Sequence, residues 1–144
     1  MRTVRSMTTR GIVAFLLCAA MAACGGPLRY QPHGTPKAPE ADAEIVAEVN
    51  VDSGFTRINM TVDHLAPPAR LTAGGTTYVV WARQSDGAPW QRVGALAYDE
   101  GQRRGKMEEA TVPLTGFDLI VSAEKENAPA NPSADVVVVQ EVNK

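Results

Sequence analysis

From residue 44 onward, apolar and polar positions alternate with a period of two. In residues 44–51 the odd positions (Ile45, Ala47, Val49, Val51) are apolar and the even ones mostly polar, the pattern of a strand buried on one face. Asp52-Ser53-Gly54 turns the chain, and Ile58, Met60 and Val62 then alternate with Arg57, Asn59, Thr61 and Asp63. Residues 77–83, Thr-Tyr-Val-Val-Trp-Ala-Arg, are apolar on both faces, as a central strand should be. A fourth strand is predicted over residues 90–98. A fifth, weaker one over 106–112 is placed at an edge by Lys106, Glu108 and Glu109. Phe117, Leu119, Val121 and Ala123 form the inward set of a sixth, and residues 135–142 close the series. No stretch sustains a helical period.

Seven short strands in about 100 residues, separated by turns, predict an all-β fold, a seven-stranded antiparallel β-sandwich of the immunoglobulin or fibronectin type. Trp81 falls where such sandwiches carry a core tryptophan. It is expected to pack on aliphatics such as Val49, Met60, Val121 and Val138, because the folded region has no cysteine pair. A closed barrel is the rival arrangement, which periodicity does not exclude.

The amino terminus has a different pattern. Arg2, Arg5 and Arg10 precede an apolar run from Ile12 to Ala20, which ends in Met21-Ala22-Ala23-Cys24. A basic start, an apolar middle and small residues before a cut make a secretory signal. The 13 residues from Gly11 to Ala23 fall short of the roughly 20 needed to span a bilayer. Cys24 directly after Ala22-Ala23 resembles the lipobox of bacterial lipoproteins, with Met21 where leucine is commoner. That resemblance implies lipidation of the Cys24 thiol, cleavage before it and acylation of the new terminus, so that the protein meets the membrane through a lipid anchor at Cys24. Several acyl chains hold durably where one holds only marginally. The alternative is an ordinary signal cleaved near Ala23. Gly25 after the cysteine, in place of an aspartate, implies the outer membrane if the host has one.

Removing residues 1–23 takes away three arginines and leaves 11 basic against 16 acidic residues, a net charge of −5. Such a surface argues against nucleic acid as a partner and offers no polybasic attraction to anionic lipid. The only cysteines are Cys18 and Cys24, so the folded region has neither a disulfide framework nor a thiolate metal site. Residues 24–43 are punctuated by Gly25-Gly26-Pro27, Pro32, Gly34, Pro36 and Pro39 and read as a lipidated cysteine followed by a passive tether. Fully extended, 19 such residues reach on the order of 60 Å. The folded domain is then expected over residues 44–144.

Candidate chemistry is sparse. His64 beside Asp63, with Ser53 or Ser85 as nucleophile, is the one acid–base combination, and no Gly-x-Ser-x-Gly elbow accompanies it. His33 and His64 are far apart in sequence, and Asp99-Glu100 and Glu108-Glu109 read as solvated turns and edges without calcium-loop spacing. Gly74-Gly75 precedes no helix, which rules out a phosphate cradle, and no cofactor is implied. Arg103-Arg104 is a small basic spot, and Asn59-Met60-Thr61 matches a glycosylation sequon. Among aromatics, Trp90 at a loop edge is the best interaction anchor, and Tyr30 lies in the tether.

Gly75, Tyr78-Val79-Val80-Trp81-Ala82, Val93-Gly94, Leu96, Phe117-Asp118, Ile120-Val121-Ser122-Ala123-Glu124 and Pro132-Ser133 together resemble the extracytoplasmic domain of anti-sigma-K-type regulators over residues 44–142. The resemblance implies a sandwich fold and an extracytoplasmic sensing or interaction role. It does not extend to sigma-factor binding, since the transmembrane helix and cytoplasmic segment of those regulators have no counterpart in the sequence. The expected function is a lipid-anchored envelope protein with a non-catalytic β-sandwich that binds or scaffolds an envelope protein partner. The alternatives are an extracytoplasmic sensor and a small hydrolase.

Overall fold

A computed structural model describes residues 25–144. It contains nine strands among the described residues, paired antiparallel in two sheets. The strands are β1 (Leu28–Tyr30), β2 (Asp42–Asn50), β3 (Phe55–Asp63), β4 (Thr77–Arg83), β5 (Gln91–Ala95), β6 (Ala97–Asp99), β7 (Arg104–Val112), β8 (Phe117–Glu124) and β9 (Val136–Val142). One sheet runs β1-β2-β3-β7-β6 and the other β5-β4-β8-β9. A four-residue helix, α1 (Pro68–Leu71), caps the link from β3 to β4. The fold is an all-β sandwich.

The dry layer between the sheets follows from the period-two pattern. Ile45, Ala47, Ile58, Met60 and Val62 from one sheet face Tyr78, Val80, Ala82, Phe117, Leu119, Val121 and Ala123 from the other, all of them buried. The inward set read for the sixth strand is the one observed. Tyr78 takes the large aromatic place in this layer. Its hydroxyl donates to the Ala66 carbonyl and its ring meets Tyr98 edge-on at 5.5 Å, while burial pushes its pKa well above the usual tyrosine value.

Four expectations are corrected. The strand expected over residues 90–98 is two strands, because the chain changes sheets at Leu96. Ala95 pairs with Val79 in one sheet and Ala97 with Lys106 in the other. Leu96 is buried at the crossing, and a Cβ on Gly105 would come within 2.8 Å of its Cδ1. A larger residue there would have to displace the Leu96 side chain. Second, the strand at 106–112 is not a simple edge: β7 lies between β3 and β6, and only its length beyond Lys106, with Glu108 and Glu109, is left uncovered. Third, Trp81 is 1 % exposed but points away from the inter-sheet layer and packs with Val79, Ile120, Trp90 and Val136 on the outer face of the four-stranded sheet. Met60, Val121 and Val138 belong to the inter-sheet core, and Val49 is only half-buried.

The fourth correction concerns the proline- and glycine-rich segment, which folds onto the sandwich. Leu28, Arg29 and Tyr30 pair with Ala47, Val46 and Ile45. Farther on, Ala38 and Ala41 are buried, the Gly34 amide donates to the Ala41 carbonyl, and the Thr35 amide donates to the Val137 carbonyl of the other sheet. The prolines and glycines set turns here, so the folded domain begins at Leu28 and not at residue 44. Together, β1 and the divided fourth strand account for nine strands where seven were expected. Cys24 and the signal segment before it lie outside the described residues.

Strand directions fix the two ends of the sandwich. One end carries the start of β1, the β2–β3 hairpin tip, the β4–β5 turn, the β7–β8 loop and the residues after β9. The other carries the segments after β1, β3 and β8.

Candidate functional site

The outer face of the four-stranded sheet is where apolar surface, charge and space coincide. Opposed rows across β4, β8 and β9 set its floor: Trp81, Ile120 and Val139 in one row, Arg83, Asp118 and Glu141 in the next. Above them opens a groove of about 1150 Å³, bounded on one side by residues 35–37 and 131–134 and on the other by Arg83, Asp86 and Trp90. Val139, 53 % exposed, stands at its accessible floor.

Trp90, the aromatic singled out from the sequence, lines this groove. It is half-buried against the cluster of Val79, Trp81 and Ile120, and the Arg83 guanidinium lies 4.4 Å from its ring centre. Arg83 is held in turn by Asp118 at 3.1 Å and Asp86 at 2.9 Å. Asp118 also receives the Lys144 ammonium at 2.7 Å, and these bonds, Lys144 first, hold its carboxyl below the usual aspartate value. The indole therefore presents one supported ring to the groove, with its cation locked by two carboxylates. Such a surface recognises apolar and aromatic groups and has polar atoms at its rim for orientation.

Beneath the groove runs a buried polar chain. Trp81 Nε1 donates to Ser122 Oγ at 2.9 Å, Ser122 Oγ donates to Glu124 Oε1 at 2.6 Å, and the Ser133 amide donates to the same oxygen at 2.7 Å. Glu124 is only 5 % exposed. The chain fixes the Trp81 ring in its sheet and ties the loop at Ser133, one wall of the groove, to the floor. The sequence pointed to Ser122 and Glu124 only as strand positions; the signal was a polar pair at alternate positions in an otherwise apolar strand. On the same wall, Lys37 reaches Asp135 at 3.1 Å. That bond is the main reason the Asp135 carboxyl sits below its usual value.

The two histidines, 31 positions apart, meet at the opposite end from the β2–β3 hairpin. His33 Nδ1 lies 2.8 Å and His64 Nδ1 3.4 Å from the two oxygens of Asp42, whose pKa is lowered chiefly by the hydrogen bond to His33. His64 has a left-handed backbone, φ 56°, and is exposed at the end of β3. Beside it Asp63 pairs with Arg104, and Arg103 bonds Glu40 at 3.1 Å and the His64 carbonyl at 3.3 Å. Arg103-Arg104 is thus spent on ion pairs. Ser53 and Ser85 sit in turns at the far end of the sandwich, so His64 and those hydroxyls are not brought together. Among the described residues no group of three or more His, Cys, Asp or Glu is placed to hold a metal ion, and no helix is long and apolar enough to cross a membrane. Asn59 of the sequon accepts a hydrogen bond from the Glu109 amide at 2.9 Å, beside the bulge between Ile58 and Met60. Tyr30 is half-buried and its hydroxyl accepts from the Asn143 amide at 3.0 Å.

No family model, curated protein or solved structure matches the chain.

Proposed function

We propose that the chain is a lipid-anchored protein of a bacterial cell envelope whose sandwich, of immunoglobulin-like type, is a non-catalytic module that binds or scaffolds another envelope protein. The observation that carries the reading is the groove over the four-stranded sheet, where Ile120 and Val139 form an apolar floor beside Trp90, with the Arg83–Asp118 and Lys37–Asp135 pairs around it. An accessible aromatic backed by a packed apolar cluster is the composition of an interface anchor. The Met21–Cys24 lipobox supplies the location.

Blocking the lipoprotein signal peptidase with globomycin tests the anchor. The uncleaved precursor accumulates if Cys24 is the lipidated residue, and mature protein unaffected by the drug contradicts the reading. The binding half is tested by Trp90→Ala in intact cells, where covalent capture of an envelope protein through Val139 is expected to fall strongly while the protein level holds.

A further inference from the structure

The folded amino-terminal segment changes what an anchor at Cys24 would do. A 60 Å tether would leave the orientation of the sandwich free. Here only Gly25, Gly26 and Pro27 separate Cys24 from β1. Even fully extended, the four residue steps from Leu28 back to Cys24 span at most about 14 Å. β1 is antiparallel to β2 with Leu28 opposite Ala47, so the chain before Leu28 continues toward Asn50 and the tip of the β2–β3 hairpin.

That tip carries two of the three large exposed apolar side chains among the described residues, Val51 at 77 % and Phe55 at 46 % exposure. Its shape is fixed: the Ser53 amide donates to Asn50 Oδ1 and the Gly54 amide to the Asn50 carbonyl, both at 3.0 Å, and Gly54 takes φ 74°. Asp52 is the only charge within the turn, and residues 51–55 hold no cation. Rigid and apolar, with the neighbouring cation Arg57 paired to Glu48 at 3.5 Å, the tip suits insertion among the headgroups of a zwitterionic bilayer.

We infer that the β2–β3 hairpin tip, through Val51 and Phe55, is a second membrane contact, which holds the sandwich end-on against the bilayer that carries the Cys24 lipid. The inference rests on the lipid-anchor reading above. The opposite end, with the His33–Asp42–His64 cluster, then faces away from the membrane, and the groove runs between the two ends.

The test uses the native lipoprotein purified in detergent and returned to phosphatidylcholine vesicles containing lipids spin-labelled at shallow acyl depth. An environment-sensitive dye is placed on Val51→Cys or, at the far end, on Glu126→Cys; acylation at Cys24 leaves the new thiol as the one that reacts. Blue-shifted, quenched emission at 51 with unshifted, unquenched emission at 126 is expected. Adding Phe55→Asp to Val51→Cys should remove most of the quenching. An acylated amino-terminal peptide in the mass spectrum, with equal emission at both positions, overturns the contact alone. An unacylated peptide in the same sample overturns the anchor and the contact together.

Discussion

The two sheets present opposite outer faces to their surroundings. On the five-stranded sheet the outward row is charged and wet: Arg29 faces Glu44 at 3.7 Å and Arg57 faces Glu48 at 3.5 Å, all more than half exposed. On the four-stranded sheet the same outward positions carry Val79, Trp81 and Ile120, buried, over a satisfied Ser122–Glu124 pair. A sandwich needs only one buried face per sheet. The second buried face carries a further packed layer, with Trp90 and Val136 against Val79, Trp81 and Ile120 and the groove beside it.

The sharpest way to break this contrast is to truncate Trp81. Though it lies outside the inter-sheet layer, Trp81→Ala should cost about 3–5 kcal/mol in urea unfolding, as a core aromatic does; a loss below about 1 kcal/mol would mean that the outer face is not packed. Glu124→Ala is next. It strips the acceptor from Ser122 Oγ and the Ser133 amide, and should destabilise by about 1–3 kcal/mol. It should also speed hydrogen exchange at Ser133, the groove wall.

Trp90→Ala should be milder in stability, about 1 kcal/mol with loss of the Arg83 contact, while removing most partner capture. On the other sheet, Arg57→Ala should stay within about 0.5 kcal/mol and leave binding unchanged. The smallest effect is acid dependence. The carboxyls of Asp42, Asp118 and Asp135 are depressed by His33, Lys144 and Lys37 respectively, so each contributes stability that is fully present above the unfolded value of about 3.9 and is lost as pH falls through the folded one. Urea midpoints should hold steady from pH 7 to 5 and drop below about pH 4, and Asp118→Asn should flatten part of that drop.

How much of this was legible depended on whether a signal lay in local alternation. Residues 77–83 read as a central strand because every position but the ends is apolar, and that is where β4 runs. The same uniformity hid which face was which. With both faces apolar, nothing local decided whether Tyr78 or Trp81 pointed inward, and the tryptophan was assigned to the wrong layer. The sheet change at Leu96 was invisible because Ala95, Leu96 and Ala97 are all apolar and no proline, glycine or polar turn residue lies between them to mark a break. β1 is three residues long and is held by backbone pairing and two buried alanines farther along, a weak signal beside seven prolines and glycines. The meeting of His33 and His64 at Asp42 depends on that same folding back, which linear distance does not reveal. Trp90 was found because an aromatic at a loop edge stands out locally, whereas the groove around it is built from three strands and two distant loops.

The contrast between the faces is tested most directly by photo-crosslinking in intact cells from one position on each. A photoreactive residue replaces Val139 in the groove or Thr61 on the five-stranded sheet. A discrete protein adduct from 139, absent from 61 and lost when Trp90→Ala is added, is the predicted result. Equal adducts from both positions, or an adduct from 139 that survives Trp90→Ala unchanged, would contradict the assignment of the groove as the binding face.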